Sequence, residues 1–183
     1  LDGTQTHRLV LEGLFGKVTQ VTTTKELMDD ETLAKLDIDC VVLKHTDEEC
    51  KRIKKYTYAE ELNYIVSHTK RNKFIENLCK TIKGNTLVLF QLVDKHGVLL
   101  HNEIKKLDKK VFFVYGGTTT ETREKIRGIV EKEKDSLIIA SYGTFSTGIN
   151  IRNINNIVFA SPSKSKIRVL QSIGRGLRKV ENK

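Results

Sequence analysis

The sequence predicts an α/β fold, a doubly wound parallel sheet with helices on both faces, and two observations carry that expectation. Four short, nearly continuous apolar runs occupy residues 86–90, 111–114, 137–140 and 157–160. Segments with helical periodicity follow the first, second and fourth of them, over 95–107, 121–133 and 164–179. Strands buried on both faces read as apolar runs rather than as alternation, and alternating strands and helices give parallel sheets with right-handed crossovers.

In chain order, residues 1–37 read as a lead-in. A helical piece around 8–14 ends at Phe15-Gly16, a threonine-rich stretch covers 19–24, and a short helix lies near 25–28. The domain proper is expected over 38–183. Residues 38–43 are β-rich, and helices are expected over 58–66 and 70–82, the second capped by Thr69. The acidic run Asp47-Glu48-Glu49-Cys50 resembles an ATPase acidic box only superficially. Lys44-His45-Thr46 separates it from the preceding apolar run, and no G-x-x-x-x-G-K-[ST] phosphate loop occurs anywhere in the chain. The chain starts at Leu1 without an initiator Met and stops shortly after Arg178, so it reads as a piece of something longer.

Composition narrows the class. At 183 residues, 38% hydrophobic and 30% charged, the chain suits one globular domain. No apolar run approaches the roughly 18 to 20 residues needed to cross a bilayer, and no secretory signal is visible, so a soluble cytoplasmic protein without a membrane partner is expected. Cys40, Cys50 and Cys79 have no close-spaced pair, and His7, His45, His68, His96 and His101 show no metal-ligand spacing, so no metal site is expected. A net charge of +9 favours a polyanionic partner such as nucleic acid, and the absence of Trp argues against a platform of exposed rings.

Ligands of doubly wound sheets gather beyond the carboxyl ends of the strands, which singles out the loops 91–94, 115–120, 141–150 and 161–163. Residues 141–150, Ser-Tyr-Gly-Thr-Phe-Ser-Thr-Gly-Ile-Asn, combine hydroxyls with two glycines. Ser141 and Thr144 could grip a nucleic-acid backbone, and Gly148 and Asn150 are better placed for a nucleotide. Equally, the hydroxyls could cap a helix. Residues 115–120, Tyr-Gly-Gly-Thr-Thr-Thr, offer an anion site at a helix start, or simply its cap, from Thr120 or a neighbour.

Near the carboxyl end, the helical step puts Gln171, Arg175 and Arg178 within about 60° of each other, while Val169, Leu170, Ile173, Leu177 and Val180 gather on the other side. Gly174 and Gly176 permit close backbone approach. Such a helix can hold arginine fingers, since a guanidinium is permanently charged, bidentate and able to neutralise charge developing on a γ-phosphate. It can also be a basic helix whose arginines face water.

Together these loops resemble the second RecA-like domain of superfamily 2 helicases. Residues 86–97 resemble the fourth motif, Gly116 through Arg123 the glycine-x6-arginine element, 141–151 motif V, and 171–178 the Q-x-x-G-R-x-x-R form of motif VI. The resemblance implies a P-loop-NTPase-like second lobe of an ATP-driven DNA motor, acting in recombination and fork repair. ATP and Mg2+ would be bound mainly by a first RecA-like lobe outside this sequence. It assigns Arg175 and Arg178 as arginine fingers, Gln171 to the γ-phosphate or attacking water, Gly148 and Asn150 to the nucleotide, and Ser141, Thr144, Gly116, Gly117 and Thr118 to the DNA backbone. Asn150 stands where many relatives have Asp. The competing readings are a non-enzymatic nucleic-acid-binding or annealing module and a nucleotide-binding domain of another α/β enzyme.

Overall fold

The computed structural model describes residues 5–144 and 151–177, and the chain divides into two compact units, Leu1–Lys35 and Leu36–Lys183. The first unit holds helix α1 (Gln5–Phe15) and helix α2 (Thr24–Asp29). A capping box begins α2: Glu26 N–H donates to Thr23 Oγ1 at 3.2 Å, and Thr23 N–H to the Glu26 carboxylate at 2.7 Å.

The second unit opens with an extended stretch instead of the strand expected over 38–43. Ile38, Val41 and Val42 are exposed and, among the described residues, no strand pairs with them, so β propensity without a neighbouring strand leaves only extended chain. The acidic run that follows is the first turn of helix α3 (Asp47–Ile53), where carboxylates complement the helix dipole and Glu49 closes a capping box with Thr46. Helix α4 (Tyr58–Ser67) starts in the same way, from Thr57 and Glu60. Helix α5 (Thr69–Thr81) is capped by His68, not Thr69: the imidazole Nδ1 accepts from Arg71 N–H at 3.2 Å.

The four expected strands form, as β1 (Thr86–Phe90), β2 (Lys110–Val114), β3 (Ser136–Ser141) and β4 (Asn156–Phe159). They make one parallel sheet in the order β2-β3-β1-β4, with Thr86 opposite Leu137 on one side and Asn156 on the other. Alternate residues face opposite layers. Leu87, Leu89, Ile138 and Ala140 pack with Ile126 and Val130 of helix α7 (Thr120–Val130). Val88, Phe90, Leu137 and Ile139 pack with Ile75 and Cys79 of α5 and with Leu100 and Ile104 of helix α6 (Val98–Ile104). The last described helix is α8 (Lys166–Gly176), capped by Ser165. Among the described residues no helix is long and apolar enough to cross a membrane.

Buried Asn85 locks the amino edge of the sheet. Its side-chain oxygen accepts from Ser136 N–H and Oγ, and its amide donates to the carbonyls of Val130 and Glu133. On the other side of β1 the chain turns through a π-helix, Val93–Gly97, rather than entering α6 directly. Gly97 is there because of Phe90: an added Cβ would lie 2.5 Å from Cε2 of a ring that is fully buried and stacked on Phe113. Gly97→Ala is therefore expected to cost about 1–3 kcal/mol through overpacking. In urea unfolding the midpoint should fall at unchanged m-value, and an unchanged midpoint would show that the ring can yield.

Candidate functional site

Because the strands are parallel, their carboxyl ends bring four loops to one edge of the sheet. After β3 the backbone turns helical over residues 142–144, and Ser141 and Thr144 are buried. Their hydroxyls bond to each other at 2.8 Å, and Ser141 Oγ accepts from Thr144 N–H at 3.4 Å. Both hydroxyls thus serve the start of the helical turn, the capping alternative open in the sequence.

Beside them, after β2, Tyr115 through Thr118 close a tight turn. Thr118 N–H donates to Tyr115 O at 2.9 Å, and Tyr115 N–H donates to Thr118 Oγ1 at 3.1 Å. A Cβ on Gly117 would strike the Tyr115 ring at 2.7 Å, whereas Gly116 has open space around it. Arg123 reaches back from α7 to the carbonyls of Tyr115 and Gly116, at 3.4 and 3.3 Å. The arginine of the glycine-x6-arginine element therefore holds the turn from behind. Thr119 caps α7, the neighbour of Thr120.

A buried polar hub joins the ends of β1, β3 and β4, and nothing in the linear sequence announced it. Ser161 is its centre. Its Oγ accepts from Gln91 N–H at 3.1 Å and bonds His96 Nδ1 at 2.7 Å, while its carbonyl accepts from Tyr142 Oη at 2.8 Å. His96 Nε2 lies 3.3 Å from Asn72 Oδ1, and Arg71 Nη2 donates to Ala160 O at 2.6 Å. Burial dominates the titration here. It lowers the His96 pKa to about 4, helped by the Arg71 charge, and raises that of Tyr142 to about 12 against the opposing pull of Arg71 and Arg168. Burial also lowers that of Arg71, whose Nη1 has no hydrogen-bond partner. At neutral pH the hub holds a neutral imidazole and a protonated phenol, both committed to fixing loops.

Helix α8 runs back along β4, its seam formed by buried Ser172 and Leu177, half-buried Val169 and Ile173, and Gly176, where a Cβ would meet Ile157 at 2.8 Å. Gln171 is exposed and Arg175 half-buried, both on the side away from that seam. Two expectations for this helix need correction. Leu170 is 55% exposed, because the buried arc centres on Ser172, Gly176 and Ile173 and leaves Leu170 beyond its edge. Gly174 has open space around it, so only Gly176 makes a close approach. Gly148, Asn150 and Arg178 lie outside the described residues.

Residues 69–180 match the helicase conserved C-terminal domain. The chain belongs to that family. Over 170 residues this helicase C-terminal domain is 41% identical to the ATP-dependent DNA helicase UvsW of Enterobacteria phage T4, covering 91% of the chain and 34% of that protein. It spans about a third of that relative's length. The crystal structure of T4 UvsW superposes with a TM-score of 0.64 at 42% identity, over 73% of this chain and 28% of that one. The C-terminal part of the Fun30 ATPase domain superposes at 0.55 over 75% of this chain and 51% of that one; at 19% identity it shows the shared fold. The RecA-like α/β class expected from the sequence is the observed one.

The hub makes an acid-stability prediction for the helicase domain. The unfolded His96 ring takes up a proton near its ordinary 6.5, the folded ring only near 4. Its contribution to stability is therefore complete above pH 6.5 and lost as pH falls toward 4, by roughly 3 kcal/mol in all. Urea unfolding across this range should show the loss in the wild type and a flatter profile in His96→Gln. Parallel profiles would remove His96 as the cause.

Proposed function

We propose that this chain is the second motor lobe of an ATP-dependent DNA helicase that unwinds or branch-migrates DNA in recombination and fork repair, in the cytoplasm. The observation that carries the reading is the arrangement of α8. Its seam is anchored on β4 through Gly176 and Ile157, and Gln171 and Arg175 lie on the opposite side. A helix seated on the sheet that carries an arginine on the side away from its buried seam can complete a nucleotide site on a facing lobe. Such a group is worth about 10³–10⁵ in turnover where it acts as an arginine finger. In this reading Arg175 and Arg178 are the fingers and Gln171 orients the γ-phosphate or the attacking water.

The chain has no phosphate loop of its own, so its residues suit a contributing role toward ATP and Mg2+. A first RecA-like lobe would bind the β and γ phosphates and the metal, with residues 1–37 leading from that lobe into the domain over 38–183. Gly148 and Asn150 would face the nucleotide from this side. Bound ATP supplies the γ-phosphate that holds two lobes together, and its loss on hydrolysis releases them.

DNA would lie along the loops after β2 and β3. The open backbone at Gly116 suits close approach of a phosphate, with Gly117 and Thr118 in the same turn; Ser141 and Thr144 would serve the neighbouring loop by fixing the helical turn against which the strand lies. Binding through such groups tolerates any sequence and weakens steeply with salt. The net charge of +9 supports the same partner. The similarity to an enzyme named as an ATP-dependent DNA helicase gives the reading its substrate class.

The test uses the full-length protein. Arg175→Ala and Arg178→Ala are each expected to lower DNA-stimulated ATP hydrolysis by at least about a thousandfold with DNA affinity retained. Unchanged hydrolysis in both would reject the finger assignment, and lost DNA binding with unchanged hydrolysis would favour a nucleic-acid-binding module. The 183-residue chain alone is expected to hydrolyse ATP negligibly, and robust turnover by it would contradict the two-lobe arrangement.

A further inference from the structure

Folding brings His68 to His45 and Glu49, a pair one helical turn apart in sequence, and all three lie outside the edge just described. His45 precedes α3, Glu49 sits in its first turn, and His68 joins α4 to α5. His45 Nδ1 is 3.8 Å from Glu49 Oε2, and His68 Nε2 is 3.9 Å from Glu49 Oε1. One ligand atom from each lies within 4.8 Å of the other two, and all three residues are half-buried. The two imidazoles meet edge to face with centroids 5.0 Å apart, and Tyr64 packs against both, at 5.9 and 5.3 Å. The Tyr64 hydroxyl lies 3.4 Å from Glu49 Oε1.

We propose that His45, Glu49 and His68 form a binding site for a divalent transition-metal ion of the zinc class. Two imidazoles and one carboxylate are a ligand set that borderline cations prefer, and three protein ligands leave a fourth position for water. Tetrahedral ligands at zinc stand roughly 3.4 Å apart, so small side-chain rotations close the set around an ion. Glu49 is already oriented, since Thr46 N–H and Oγ1 both hold its Oε2 at 3.1 Å. That is outer-shell support for a ligand.

His68 sets the chemistry of uptake. With Nδ1 accepting from Arg71 N–H, the neutral ring carries its proton on Nε2, the atom facing Glu49. A metal ion at Nε2 displaces that proton, either to solvent or to Nδ1 at the expense of the α5 cap. The bound ion would tie the start of α3 to the α4–α5 junction, three residues before Arg71 of the hub. His45 and Glu49 are four residues apart, but His68 joins them only through the fold, so the trio was not readable in the sequence.

The experiment titrates the purified chain with Zn2+ against a chromogenic chelator and reads the visible spectrum with Co2+ in its place. We expect one equivalent bound, with the visible absorption of low-coordinate cobalt and no thiolate charge-transfer band. His45→Ala should weaken binding by at least about tenfold. His68→Asn retains a capping side chain and Glu49→Gln retains the capping box, and each should weaken binding similarly while thermal unfolding of the metal-free chain stays near wild type. Absence of binding at micromolar Zn2+, affinity unchanged in all three variants, or a thiolate band from Cys40 or Cys50 would each overturn the proposal.

Discussion

Ser161 is the constraint on which the working edge of this domain depends. One residue accepts from the backbone after β1, bonds an imidazole of the π-turn, and accepts at its carbonyl a hydrogen bond from the phenol of the residue after β3. Neutral hydrogen bonds in water contribute modestly. Buried ones left unmade cost far more, so a fully connected network holds its members in one arrangement. At the opposite edge Asn85 performs the same service for the strand starts. The sheet is thus fastened at both ends by polar groups, and the apolar layers between supply most of the burial energy.

That fastening matters for the proposed motor because its parts come from different loops. Tyr142 sits inside the loop that carries Ser141 and Thr144, and Ser161 begins the segment leading into α8. The same hydrogen bond therefore fixes the spacing between the region proposed to meet DNA and the helix proposed to meet nucleotide. A rigid link of this kind would let a change at one loop displace the other, as a two-state motor element requires. Arg71 joins the same edge: its Nη2 donates to Ala160 O, while its Nη1 is buried without a hydrogen-bond partner, a cost that the rest of the hub must offset.

Much of the fold was legible in the sequence because strands buried on both faces must be apolar throughout, and all four appeared where the apolar runs lie. The run at 38–43 is also β-rich but pairs with no strand among the described residues, which composition cannot reveal. Helix α3 hid behind charges that looked like chemistry and are a helix's first turn. The sidedness of α8 was readable from its period, except at Leu170, which lies beyond the edge of the buried arc centred on Ser172, Ile173 and Gly176. The hub was not readable: Arg71, Asn72, His96, Tyr142 and Ser161 are scattered polar residues whose burial is set only when the sheet brings their loops together.

Amide hydrogen exchange in Tyr142→Phe measures this link most directly, since the variant keeps the ring and removes only the hydroxyl that donates to the Ser161 carbonyl. We expect exchange over 141–144 and 160–165 to quicken by about tenfold, the equivalent of losing roughly 1.4 kcal/mol locally, with the amides of β1 and β3 unchanged. Exchange identical to wild type in both loops would mean that the hub does not hold them, and the coupling built on it would fail.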